Sequence, residues 1–178
     1  MIPGADAAGA AAPTVVPLAA WRRAHGIAPP IRAARPEESA ALTTLCLRAK
    51  ASLGVSEDLM RLWVPVLTLP AEAIAAGRVL VAAETALLGV AAHGPPVDGL
   101  AELTLLCVDP AATARGVGTA LLGAVVARLR AQGVRRMTIL AERGIAGFYR
   151  RMGAVPTGFA PSPAIPGRML PSLLLELR

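Results

Sequence analysis

The stretch Leu103-Thr-Leu-Leu-Cys-Val-Asp-Pro-Ala-Ala-Thr-Ala-Arg-Gly-Val-Gly-Thr-Ala-Leu-Leu122 decides how the rest of the chain is read. An apolar run of strand character stops at Asp109-Pro110, a short Arg115-Gly-Val-Gly118 loop follows, and apolar residues then recur at helical spacing. Backbone N–H groups at a helix start have no partners within the helix, and the helix dipole adds positive potential there. A strand, a glycine loop and a helix in this order therefore suit a phosphate. A Walker A loop needs Gly-Lys-Ser/Thr, and the only lysine is Lys50, so that loop type is excluded. A dinucleotide fingerprint needs a third glycine in an early βαβ unit, but position 121 is leucine and β-type runs precede the loop.

Upstream of the loop, Ile31–Ala34 is a short strand candidate, and Pro36 with Glu37 and Glu38 starts a helix whose apolar face is Ala41, Leu42, Leu45 and Cys46. Ser56 caps a second helix carrying Leu59, Met60, Leu62 and Trp63, and Pro70 opens a third that ends at Gly77. The period then changes: 79–83, 86–92 and 100–108 read as three consecutive strands, an antiparallel meander running into the loop. Beyond it, Val117, Leu121, Val125 and Leu129 form one helical stripe with Leu122 and Val126 beside it. Met137–Leu140 reads as a buried strand, 145–152 as a helix stopped by Gly153, and 154–158 and 169–177 as strands, the last made an edge or bulged strand by Pro171. This order implies an α/β layered fold with a mixed sheet. An exposed edge at the Pro171 strand is where a second copy could pair, so a homodimer is an expectation.

A chain of 178 residues suits one domain with a full core. The Ala, Gly and Pro-rich residues 1–30 follow neither period and are expected to form a disordered or extended leader, leaving 31–178 as the domain. Charged residues interrupt every long apolar stretch before membrane-spanning length, so the chain reads as soluble. Cys46 and Cys107 sit in apolar periodic contexts, which favours two buried thiols in a reducing cytoplasm over a disulfide. With only His25 and His93 available, no metal-ligand cluster is expected. Residues 1–109 carry 8 basic and 10 acidic side chains, whereas 110–178 carry 10 basic and 2 acidic. A basic half points to an anionic partner. Nucleic acid is disfavoured, because 3% aromatic content leaves few side chains for base stacking.

Val108-Asp-Pro followed by Thr113-Ala-Arg-Gly-Val-Gly118-Thr, and then Phe148-Tyr-Arg-Arg-Met-Gly153, resembles the GNAT superfamily of N-acetyltransferases. The first stretch is similar to that family's acetyl-CoA loop, Gln/Arg-x-x-Gly-x-Gly/Ala, and the second to its helix ending Phe-Tyr-x-x-x-Gly. The resemblance implies a single-domain mixed, mostly antiparallel sheet flanked by helices, with a central strand pair splayed at the acetyl-CoA site. It further implies that the amides of Thr113, Ala114, Arg115, Gly116, Val117, Gly118 and Thr119 hold the CoA pyrophosphate. The backbone of Leu106, Cys107 and Val108 would then pair with the pantetheine arm, with Phe148 and Glu142 also at the cofactor. Glycine at 116 and 118 removes side chains that would block a close approach. Thr113 departs from the family pattern, which weakens or alters the phosphate contacts expected there.

By the same resemblance Tyr149, the only tyrosine, protonates the departing CoA thiolate. Direct transfer from acetyl-CoA to a primary amine in a ternary complex also needs a base. Glu102 is the first candidate and His93 the second, while Glu84 and Asp98 read as solvated turn acids. Residues 45–75 and the 159–168 loop would wall the acceptor site, and Lys50-Ala-Ser-Leu-Gly-Val55 has aliphatic residues where a related Lys-Ala-x-Trp-Gly-Tyr pattern has aromatics. An aliphatic, proline-framed pocket is therefore expected. The alternative is a CoA-binding sensor or interaction protein that keeps the fold without the chemistry.

Overall fold

The computed structural model describes residues 28–54 and 56–177, so the expected leader lies outside the described residues up to position 27. Seven strands form one sheet: β1 (Ile31–Ala33), β2 (Val79–Ala83), β3 (Leu87–His93), β4 (Leu100–Val108), β5 (Arg136–Leu140), β6 (Val155–Pro161) and β7 (Met169–Glu176). Their order across the sheet is β1-β2-β3-β4-β5-β7-β6. Every neighbouring pair is antiparallel except β4 and β5, which run parallel. The helices are α1 (Ser39–Ala51), α2 (Glu57–Leu67), α3 (Ala71–Ala75), α4 (Val117–Ala131) and α5 (Ala146–Arg151). The α/β arrangement and the element order thus follow the sequence expectation.

Each sheet face is covered by a different helix set. Val117, Leu121, Val125 and Leu129 are all buried and pack α4 against Leu80, Ala91, Leu103 and Ile139, so the expected stripe is the one that faces the sheet. On the opposite face Leu42, Leu45 and Cys46 of α1, with Trp63 and Leu67 of α2, cover Val79, Val81, Val90 and Cys107. Three positions differ from the sequence expectation. Ala41 is exposed on α1, and Leu59 and Leu62 are exposed on α2, because the face that meets the sheet is set by Trp63 and Leu67.

Pro171 was expected on an edge or bulged strand, but β7 lies inside the sheet between β5 and β6, whose register shifts near Gly158. Its carbonyl accepts from Ala141 N–H at 2.9 Å, just past Leu140↔Ser172, the last β5–β7 pair. The N and C=O of one strand residue point to the same side, so the missing N–H faces the place where β5 has ended and no ladder bond is lost. The edges of this sheet are β1 and β6.

Close approach of α4 depends on Gly89 in β3. A Cβ there would stand 2.9 Å from the Cys107 carbonyl oxygen and 3.0 Å from side-chain atoms of both Val117 and Leu121. Gly89→Ala is therefore expected to destabilise the fold by about 1–3 kcal/mol through overpacking. Urea unfolding, read as a lower midpoint at unchanged slope, checks this.

Candidate active site

The site begins where β4 leaves β5. The two strands pair from Leu100↔Arg136 to Leu103↔Ile139 and no further. On its other side β4 stays paired with β3, but the register moves from His93↔Leu103 to Ala92↔Leu105, so Thr104 is an extra residue. Such a bulge bends and twists the strand that carries it. Its effect shows in the packing: Ala101 and Leu103 face α4, as do Leu106 and Val108, whereas Leu105 and Cys107 turn to the α1 side. From Leu105 to Val108 the β5-facing side of β4 has no strand partner, which leaves backbone hydrogen-bonding groups open along one edge of a cleft.

The glycine loop sits at the end of this cleft. Asp109 accepts from Ala111 N–H at 3.0 Å and pairs with Arg48, and both interactions hold its carboxyl below the ordinary aspartate range. After a 3-10 turn over Pro110–Ala112, Ala114 and Gly116 both take left-handed backbone, at φ 63° and 75°. Glycine accepts this conformation freely, whereas at Ala114 it is strained, a feature that concentrates at ligand sites. The first helical bond of α4 runs from Ala120 N to Gly116 O, so the N–H groups of Val117, Gly118 and Thr119 have no helical acceptor. A Cβ on Gly118 would stand 3.6 Å from both Phe148 and Val108 side-chain atoms, so the loop, the open part of β4 and α5 meet here.

Tyr149 is buried on α5, its ring edge-on to Phe148 at 5.1 Å. Burial raises its pKa above the ordinary phenol range, and the nearby Cys107 adds in the same sense, so it stays a protonated donor. Cys46 and Cys107 are both free, buried thiols. The adjacent Cys107 and then burial push the Cys46 thiol up. Cys107 is pulled down by the Cys46 thiol and, after the opposing cost of burial, by the charge of Lys50.

Glu142, directly beyond β5, has both carboxylate oxygens engaged: Lys50 Nζ donates at 3.1 Å and Arg168 Nη2 at 2.6 Å. Both cations lie over the Trp63 ring, Lys50 Nζ at 4.5 Å and Arg168 Cζ at 5.9 Å from its centre. One network therefore bolts α1, α2, the residue after β5 and the β6–β7 loop together. Ala164 and Ile165 of that loop pack on the same cluster as Trp63. Within the stretch expected to wall the acceptor site, the buried Trp63 ring thus lies under two cations. Lys50, Trp63 and Arg168 fall within the stretches expected to wall the acceptor site but had no individual roles from sequence; the signals at Lys50 were that it is the sole lysine and opens the Lys50-Ala-Ser-Leu-Gly-Val55 stretch.

The structure does not bring Glu102 to this cluster. Its exposed side chain lies in a shallow depression with Pro95, Val97, Asp98, Arg136 and Thr138, on the part of β4 still paired to β5. It is five residues, roughly 15 Å along a strand, from Cys107. His93, the second candidate base, is buried on the α4 side of the sheet at 2% exposure. Its Nδ1 lies 2.8 Å from the Gly94 carbonyl, so that nitrogen carries the proton, and Nε2 is sealed without a partner. Glu84 is paired with Arg115 of the loop at 3.6 Å rather than solvated alone. Among the described residues no group of His, Cys, Asp and Glu could hold a metal ion, and no helix is long and apolar enough to cross a membrane.

A sequence profile of the acetyltransferase (GNAT) domain family matches residues 75–153, a span that contains both motifs. Among curated proteins none matches this chain in sequence. Solved structures do match in fold. A GCN5-related N-acetyltransferase from Rhodopseudomonas palustris is 21% identical with a TM-score of 0.68, covering 84% of this chain and 96% of its own. The PaiA N-acetyltransferase of Thermoplasma acidophilum, solved with coenzyme A, is 18% identical with a TM-score of 0.61, covering 82% and 98%. The YncA protein of Salmonella typhimurium, solved with its cofactor acetyl-CoA, is 23% identical with a TM-score of 0.60, covering 85% and 95%. The GNAT resemblance carried by the two motifs therefore holds, and the single mostly antiparallel sheet with one parallel pair is the GNAT fold.

Burial lowers the His93 pKa below 6.5, and the Arg128 and Arg78 charges act in the same direction against the Gly94 hydrogen bond. The folded chain thus binds fewer protons at this site than the unfolded chain, so stability is full above the unfolded value and falls as pH drops below it. Urea unfolding should show lower stability at about pH 5.5 than at about pH 7.5, and His93→Gln should flatten that difference. Glu38, whose pKa is lowered to about 2 by Arg32, contributes its loss only at more acid pH.

Proposed function

We propose that this protein is an acetyl-CoA-dependent N-acetyltransferase that moves the acetyl group directly to a primary amine in a ternary complex, in the cytoplasm. The observation that carries this is the cleft itself. The unpaired edge of β4, the free N–H groups at the start of α4 and the buried Tyr149 phenol converge at one end of the β4–β5 splay.

In this reading the amides of residues 113–119 receive the pyrophosphate at the left-handed turn, and the backbone of Leu106, Cys107 and Val108 adds the pantetheine arm as a strand would. Phe148 packs beside Gly118, where the arm would pass. Bound acetyl-CoA supplies an activated thioester. Tyr149 then protonates the sulfur as the C–S bond breaks, a role suited to a phenol that burial keeps protonated. As the base on the acceptor amine, Glu102 would have to act through a chain of waters, since it stands exposed on the part of β4 still paired to β5. Glu142 serves the site by holding Lys50 and Arg168 at its mouth.

Calorimetry should show acetyl-CoA binding to the purified protein, and failure to bind would sink the proposal. A thiol-release screen over an amine panel tests the chemistry. Binding without release on any amine would instead favour a CoA-sensing role. Tyr149→Phe should lower turnover by about 100-fold or more while leaving the acetyl-CoA Kd unchanged. Gly116→Val, which forces a branched residue into left-handed backbone, should raise that Kd about tenfold.

A further inference from the structure

Resting on that reading of the cleft, we propose that Lys50, the sole lysine, is itself an acyl acceptor, so that the protein acetylates its own Lys50 from bound acetyl-CoA. The argument is one of position. Lys50 follows Cys46 by four residues on α1, which puts the two on the same helix face. Cys46 faces Cys107, which lies on the open half of β4. Lys50 then reaches Glu142, directly after β5. Because β4 and β5 run parallel, Cys107 and Glu142 mark the same end of the splay, the end at which Lys50 is held by Glu142. Cys46 and Cys107 share one buried cluster with Trp63, the ring over which the Lys50 ammonium lies.

The surroundings of Nζ are those of an amine acceptor subsite that the chain fills from within. A carboxylate oxygen lies 3.1 Å away and an aromatic face 4.5 Å away. Only 19% of the side chain is exposed. The chemistry balances without any further reagent. The ammonium gives one proton to Glu142, and the neutral nitrogen attacks the thioester carbonyl carbon. The C–S bond breaks with its electron pair on sulfur, sulfur takes the proton of Tyr149, and the nitrogen returns a second proton to Tyr149. Glu142 releases its proton to solvent, leaving acetyl-lysine, CoA thiol and one proton. The reaction occurs once per chain, since the product amide is no longer a nucleophile.

A single lysine makes the test clean. The folded protein is incubated with acetyl-CoA and then digested, and the peptide containing Lys50 is followed by mass spectrometry against the same chain in denaturant. Lys50 should gain one acetyl group at least ~10-fold faster when folded, the advantage that positioning gives. Tyr149→Phe should slow the gain, and Lys50→Arg should abolish it at that peptide. Equal rates in the folded and denatured chain overturn the proposal. So does an unmodified Lys50 in protein that binds acetyl-CoA and acetylates external amines, which leaves the proposed function standing. Absence of acetyl-CoA binding removes both.

Discussion

The one constraint on which the site depends is that β4 keeps its bonds to β3 while giving up its bonds to β5. Thr104 makes this happen, because the extra residue shifts the register by one and turns the strand away from its parallel neighbour. A sheet that pays this local loss in ladder hydrogen bonds gains an edge inside the core, with backbone groups presented to a cleft and not to bulk solvent. The elements around that edge are held close to it: α4 packs over β3 at Gly89, on the paired side of β4, and the loop before α4 starts where β4 ends.

Two kinds of interaction keep the cleft open yet fixed. On the α4 side the contact is apolar and tight, with Val117, Leu121 and Leu129 buried. On the α1 side it is polar: Glu142 with Lys50 and Arg168 over Trp63. Breaking one partner of a half-buried network leaves the others unpaired, so the network specifies where the β6–β7 loop lies more than it adds net stability. The excess of basic residues after position 109 is used differently in different places. Arg168 closes this network and Arg115 pairs with Glu84, whereas Arg128 stands near the neutral His93 on the α4 side.

Local pattern alone gave most of the elements, because α4 carries burial of period 3.6, while β2 and β3 are short apolar runs buried on both faces and β4 alternates over its first half. The weaker expectations failed where burial was decided by contacts distant in sequence. Leu59 and Leu62 have helical spacing, yet Trp63 and Leu67 are the residues that meet the sheet. His93 looked like a strand end, but its side chain shares a face with Leu103 and lies under α4. Pro171 suggested an edge or bulged strand; the strand is interior and pairs with β6 across a register shift, and it accommodates the proline because β5 ends opposite Ser172.

What the sequence determined by itself is the pair of motifs and the order of elements. The glycine loop and the Phe148-Tyr149 helix are local chemistry, fixed by which residues permit left-handed backbone and which recur on a helix face. What only the tertiary structure decided is which residues meet across the splay. Lys50, Trp63, Glu142 and Arg168 span well over a hundred positions and show no shared pattern in the chain. Their convergence follows from the parallel pairing of β4 with β5 and from the β6–β7 loop packing back on α2, long-range contacts that no local spacing encodes.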